Sequence, residues 1–241
     1  MVNTSLYNNL FPTSNRNAKG GSKNTPKKII NIFNEKKELL VATFANLIFQ
    51  LGITYFTMEK TEVNDKNIES SRQKIFLYFL IQILIIIILA LLPLSSIIKF
   101  LLFVIFSYTF GLELSVVKYY TSEDIIKFAL LGTVSIFALM FAIGTFLILT
   151  GINLGFKFGL VLFYLLLILI LLRLLEIFTN AMSGFHKFLA LISILLFSVY
   201  IMFDTNVILQ RNYYGDFITA SMDYYLDILN IFINIISFNN N

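Results

Sequence analysis

Seven apolar runs alternate with short polar segments along the chain: Leu39–Met58, Ile75–Leu92, Ile97–Val117, Ile125–Leu149, Phe158–Phe178, Phe188–Leu209 and Phe217–Phe238. A helix that crosses a bilayer takes about 20 residues, so each run has the length of one span. Between the first two lies "EKTEVNDKNIESSRQK", a loop with four basic and four acidic groups. "PLSS" makes a tight turn, because Pro93 disfavours a helical residue before it. In "KYYTSEDI", Ser122 is placed to cap the fourth helix. "TGINLGFK", "TNAMSGFHK" and "RNYYGD" are the remaining turns. The pattern predicts an all-α integral membrane domain over residues 35–241. Residues 1–34 are rich in Asn, Ser, Thr, Lys and Gly and lack apolar periodicity, which predicts a disordered basic cytoplasmic tail. A secretory signal would place its apolar core much earlier.

Composition agrees with the pattern. Of the 241 residues 58% are hydrophobic and 13% charged, and the mean hydropathy is +0.82. Soluble domains carry about 25% charged residues. The chain has no cysteine and one histidine, His186, so disulfide, thiolate and His-rich metal chemistry is excluded. The net charge of +4 comes mainly from the tail and does not point to nucleic acid. Seven Lys or Arg and two Glu precede Leu39, which places the N-terminus in the cytoplasm. Seven full spans put the C-terminus on the other side; a re-entrant or short last segment would return it.

Ionisable groups at membrane depth are costly and face a bundle interior or a water-filled cavity. Glu113, Glu176, Asp204 and Asp227 are the acids in question. Glu113 lies late in the third run, where an interfacial position is the plainer reading. Arg173 and Glu176, three residues apart, pair on one helix face. Lys99 and Lys127 lie near helix ends and snorkel. His186 sits in a turn beside Lys187 and receives no role. The aromatic pairs in "KYY" and "NYY" flank spans as interfacial belts.

The last run, "SMDYYLDILNIFINIIS", is more informative. Asp223, Asp227, Asn230 and Asn234 are spaced by 4, 3 and 4 and fall within an arc of about 60° on a helix. Leu226, Leu229, Phe232, Ile233 and Ile236 form the other face. Such a stripe needs protein partners or water. Either the other helices enclose this one, or it lies in the headgroup layer with its stripe outward. The absence of Lys and Arg from that face argues against an anionic surface. In the sixth run Ser193, Tyr200 and Asp204 share a side, and the short turn makes the sixth and seventh runs antiparallel neighbours. Asp204 lies nearer that turn than Asp227 does. An uncoiled "YYGDFITA" would bring them closer. Two carboxylates held together cannot both ionise freely, so such a pair shares a proton.

The block "FSVYIMFDTNVILQ" followed by "SMDYYLDILNIFINII" resembles the C-terminal signature of the transmembrane Bax inhibitor motif family, the Bax inhibitor and Lifeguard proteins and their bacterial relatives. The matching residues are Phe197, Ser198, Tyr200, Ile201 and Asp204, then Tyr225, Leu226, Asp227, Ile228, Asn230 and Phe232. "FALLGTVSIFALM" adds Ala129, Leu130, Thr133 and Phe137, and "GLELS" resembles the family's G-L-x-L-S. The resemblance covers residues 36–238. It implies seven transmembrane helices with the C-terminal one central, and a pH-sensitive calcium leak. In eukaryotic members it also implies a role in suppressing apoptosis, in an internal membrane such as the endoplasmic reticulum or Golgi of a cell or virus-infected host. Asp204 and Asp227 match the paired aspartates that sense protons, gate the path and meet the calcium ion; Asp223, Asn230, Asn234 and Glu113 become its lining. There are two departures. Val116 follows Ser115 where members often have proline. Some members also carry an arginine at the turn between helices two and three that latches the aspartates. Here that turn is "PLSS", and the nearest base is Lys99.

The partners expected are the lipid bilayer, calcium and protons, with other membrane or cell-death proteins if the domain is instead a non-conducting docking scaffold. A secondary transporter using the acids as a proton relay would show internal repeats and broken helices, and none stands out. No enzyme is expected and no cofactor: G-x-S-x-G and H-E-x-x-H are absent, and neither aspartate follows glycine as the G-x-G-D setting of intramembrane aspartyl proteases requires.

Overall fold

Backbone N–H and C=O groups have no water to bond in lipid, so an apolar run must satisfy them internally as a helix. The computed structural model describes residues 25–179, 183–210 and 216–240. Within them the chain forms seven helices and no strand: α1 Thr25–Lys60, α2 Ile68–Leu91, α3 Ser96–Tyr119, α4 Glu123–Leu149, α5 Phe156–Thr179, α6 Ser183–Gln210 and α7 Phe217–Asn239. The first six are long and apolar enough to cross a membrane. The polar stripe leaves α7 less apolar, though its 23 residues are sufficient in length.

Several boundaries move. Helix α1 begins at Thr25, so residues 25–34, expected in the tail, are helical; residues 1–24 lie outside the described residues. The loop after α1 is shorter than expected because α2 already starts at Ile68. There the Asn67 side chain accepts from the Asn64 N–H at 2.8 Å and donates to the Glu62 carbonyl at 2.9 Å, folding the turn on itself. Helix α2 stops before Pro93, and Leu92 is extended at φ −103° and ψ 134°, as the residue before a proline must be. Ser122 does occupy the N-cap of α4, but its side chain makes no capping bond; its carbonyl accepts from the Ile126 N–H at 3.2 Å. Residues 217–220 are helical, as the start of the last run predicts, and not uncoiled; residues 211–215 lie outside the described residues, with the "NYY" pair among them.

Helices α1 and α3 run parallel, since Gln50 meets Ser107 and, further along both, Glu59 meets Lys118. Helix α7 runs parallel to α1, through Asn46–Ser221 and Thr54–Tyr225, and antiparallel to α6, through Thr205–Tyr224 and His186–Ser237. It packs against α1, α3, α4 and α6, whereas α2 leans mainly on α3 and α5 on α6. The bundle therefore has a near end, where α3 and α7 begin, and a far end, where they finish. At the far end Asn240 donates to the Thr121 hydroxyl at 2.7 Å, tying the end of α7 to the α3–α4 turn.

Two glycines set the closest helix contacts. A β-carbon on Gly111 of α3 would lie 2.6 Å from Thr57 Cβ and 2.7 Å from the Thr54 carbonyl oxygen on α1. On Gly144 of α4 it would lie 2.5 Å from the Met202 carbonyl oxygen on α6. Small residues permit such backbone approach in membrane bundles. Close by, the buried Asn206 of α6 takes the Leu154 N–H at 2.8 Å and donates to the Ile152 carbonyl at 3.1 Å, so the α4–α5 turn is fastened to α6.

The near end is fixed by charge. Lys99, expected to snorkel, is ion-paired with Asp216 at the N-cap of α7. Asp216 also accepts from the Thr219 N–H at 3.1 Å and the Thr219 hydroxyl at 2.9 Å. Burial acts to raise the Asp216 carboxyl, but the Lys99 ammonium and both Thr219 donors outweigh it and hold its pKa below the ordinary value.

Two outcomes are expected. Gly144→Ala and Gly111→Ala lower the melting temperature of the detergent-solubilised protein, each costing about 1–3 kcal/mol through overpacking; Gly52→Ala, with nothing within 4 Å of its β-carbon, does not. For Asp216 the folded pKa is the depressed one. Its stabilisation is therefore complete above the unfolded value, about 4, and disappears as pH falls through the folded value. Asp216→Asn lowers the melting temperature at neutral pH, and the gap from wild type closes in strong acid. A gap that persists unchanged in strong acid would show that the ion pair does not hold this end.

Candidate functional site

Helix α7 is polar on two sides. Thirteen of its residues are buried, among them Ser221, Tyr224, Tyr225, Asp227 and Asn234. Asp223 and Asn230 are half-buried. The stripe from Asp223 to Asn234 rises about 16 Å along the axis. Asn230 and Asn234 turn their amide N–H groups onto their own helix, to the Leu226 and Asn230 carbonyls, each at 2.8 Å.

The structure brings Asp204 and Asp227 together. Their side chains meet within hydrogen-bonding range, and the charge of Asp223 is felt at Asp227 from one turn away. Asp227 is buried, Asp204 half-buried. One oxygen of Asp227, Oδ2, is buried without a hydrogen bond. Tyr200, one turn before Asp204, lies within the field of both acids; Ser193 instead bonds the Leu189 carbonyl of its own helix at 2.8 Å. Beside the pair the Tyr224 hydroxyl donates to Thr205 Oγ1 at 2.9 Å. Phe44 of α1 stacks on the Tyr224 ring and Phe137 of α4 meets its edge at 5.3 Å. The acids meet with residues 217–220 helical, and this packing holds α6 and α7 at that height.

Glu113 stands apart from the stripe. It bonds Gln82 of α2, and its Oε1 is buried without a partner. It adjoins a second polar network, between α1, α3 and the opposite side of α7. There Asn46 donates to Ser221 at 2.6 Å, Gln50 to Asn46 at 3.4 Å, and Ser107 to Gln50 at 2.9 Å. The Thr54 and Tyr225 hydroxyls share a bond at 2.5 Å, and the Phe103 ring meets Tyr225 edge-on at 5.0 Å. Sequence reasoning missed this network. Its signal was present in the four-residue spacing of Asn46, Gln50 and Thr54 and of Ser221 and Tyr225.

At the far end the expected Arg173–Glu176 pair forms at 3.0 Å but is not self-contained. Glu176 Oε1 meets His186 Nδ1 at 2.5 Å, and His186 Nε2 meets the Ser237 hydroxyl at 2.6 Å. Arg173 donates through Nη2 to Asn234 Oδ1 at 2.7 Å, on the stripe itself. His186, given no role from sequence, is therefore one post of a cluster that links α5, α6 and α7. Lys127 pairs with Glu123 of its own helix at 3.4 Å.

Among the described residues no group of three or more His, Cys, Asp or Glu gathers as a metal site. Calcium takes six to eight oxygen ligands when held tightly, more than the carboxyl groups of Asp204 and Asp227 supply.

A search of curated proteins returns no match. The family model described as "Inhibitor of apoptosis-promoting Bax1" matches residues 36–241, which takes in all of α2 to α7 and most of α1. Both halves of the acid pair, the stripe and Glu113 fall inside the matched region. With six helices apolar enough to cross a bilayer, the chain is a multi-pass membrane protein and belongs to the Bax inhibitor family.

Proposed function

We propose that the protein is a pH-sensitive calcium leak of the Bax inhibitor type that acts against apoptosis, with α7 as a seventh span at the centre of the bundle. The observation that carries the reading is the meeting of Asp204 and Asp227 on facing helices, at the start of a stripe whose other members are Asp223, Asn230 and Asn234. A carboxyl pair in this setting shares one proton, and the shared proton holds α6 to α7. When the proton leaves, the charges repel and the pair attracts a divalent cation, because hard calcium prefers carboxylate oxygen. The unbonded Oδ2 of Asp227 is the oxygen free to receive it. Asn230 and Asn234 carry the ion onward, and Glu113 serves as a separate acidic lining group towards α2. The tail-side charge bias puts the near end, with Lys99 and Asp216, in the cytoplasm. The membrane is an internal one such as the endoplasmic reticulum or Golgi.

Liposomes with an entrapped calcium dye test this. Asp204→Asn or Asp227→Asn removes one titrating site while keeping size and hydrogen bonding, and either flattens the dependence of flux on pH from mildly acidic to neutral. The double variant adds little, because each single change already removes the coupling. Asp223→Asn keeps most of the response. Wild-type pH profiles in both single variants would make the pair structural and favour a docking scaffold. Asn230→Leu and Asn234→Leu lower flux more than Leu229→Ala or Ile233→Ala at equal expression; equal losses on both faces would remove the stripe from the path.

A further inference from the structure

An acidic and amide-lined stripe suits a cation, yet at its far end it meets a permanent positive charge. Arg173 reaches from α5 across to α7, and the guanidinium cannot shed its charge in a protein. Its Nη2 donates to Asn234 Oδ1 at 2.7 Å and its Nη1 to Glu176 Oε2 at 3.0 Å. Glu176 is fixed from its other oxygen by His186 at 2.5 Å, and His186 is fixed by Ser237 of α7 at 2.6 Å. The Glu176 side chain is only 12% exposed. Arg173 therefore has a set position, which distinguishes it from a lysine or arginine free to reach the headgroups.

We propose that Arg173 is the charge-selecting residue of the far mouth. A cation on the stripe beyond Asn234 must pass the guanidinium. Glu176 screens that charge as long as it is seated against Arg173, and His186 keeps it seated. Removing the guanidinium opens the far mouth to cations; removing the Glu176 carboxylate closes it further. This rests on the reading of the stripe as a hydrated path.

The chain contains no cysteine, so a single introduced thiol reports alone. Asn230, one turn inward from Asn234, is the reporter position; Asn239, exposed beyond the cluster, is the control. Asn230→Cys protein in lipid nanodiscs is treated with a trimethylammonium and with a sulfonate methanethiosulfonate reagent, and the two modification rates are compared. The ratio of cationic to anionic rate is expected to rise about tenfold in Arg173→Gln, the scale of adding or removing one nearby charge in a poorly screened site. It stays near wild type in Arg173→Lys, which keeps the charge, and falls in Glu176→Gln. At Asn239→Cys the ratio does not move. An unchanged ratio at Asn230→Cys in both Arg173→Gln and Glu176→Gln overturns the proposal. So does a ratio that changes equally in Arg173→Lys and Arg173→Gln, because shape and not charge is then what matters. Should Arg173→Gln fail to fold, the fall expected in Glu176→Gln decides alone. A reporter that neither reagent reaches in any background means a dry stripe and overturns both this inference and the leak. Calcium flux from the same protein in liposomes separates the two: the expected ratios without wild-type flux sink the leak and keep the selector, and flux with unmoved ratios does the reverse.

Discussion

A helix with polar groups on both sides has no whole face to give to lipid. Helix α7 offers carboxyl and amide groups along one side and Ser221 and Tyr225 along the other. In an apolar surrounding each of these loses its hydration, and leaving one unpaired costs more than a bond gains. The bundle answers that demand from every direction. Asn46 and Thr54 of α1 meet one side, Asp204 and Thr205 of α6 meet the other, and Arg173 of α5 closes the far end. The packing of α1, α3, α4 and α6 against α7 follows from that requirement and from the bulk of Tyr224 and Tyr225. Helices α2 and α5 present mostly bare Leu, Ile and Phe outward, a surface that only lipid covers without cost.

Close helix contacts make these bonds geometrically reachable. Gly111 lets α3 lie against the Thr54–Thr57 turn of α1, which brings the Ser107 and Thr54 carbonyl and hydroxyl groups into range. Gly144 does the same for α4 and α6 next to Thr205, whose hydroxyl receives Tyr224. Larger residues there would separate the helices and break these interhelical bonds. Packing and polar satisfaction are thus one constraint in this protein.

The two ends of α7 are held by different chemistry. At the near end Asp216 caps the helix and binds Lys99 of α3. At the far end Arg173, Glu176 and His186 clamp Asn234 and Ser237. No base at the α2–α3 turn reaches the acid pair through these contacts: the Lys99 ammonium is committed to Asp216. An arginine does touch the stripe, but it comes from α5 and at the opposite end. Any displacement of α7 relative to its neighbours works against both anchors.

The sequence by itself determined the class of structure and most of its helices. Apolar runs of bilayer length leave the backbone one solution, and the pairing of Asp204 with Asp227 was legible because the antiparallel neighbours and the terminal signature both pointed to it. The Arg173–Glu176 pair was legible for a local reason, a three-residue spacing on one helix. Helix ends were not, since the polar residues at 25–34 and 68–74 continue a helix as well as they fill a loop. Only the tertiary structure decided which distant polar groups share a bond. It joined His186 to Glu176 and Ser237, sent Lys99 to Asp216, set Glu113 with Gln82, and built the network of Asn46, Gln50, Ser107 and Tyr225. Helical periodicity fixes which side of its own axis a residue takes; the rotation and height of one helix against another are fixed by close packing and by the need of every buried donor and acceptor for a partner, and those are properties of the whole bundle.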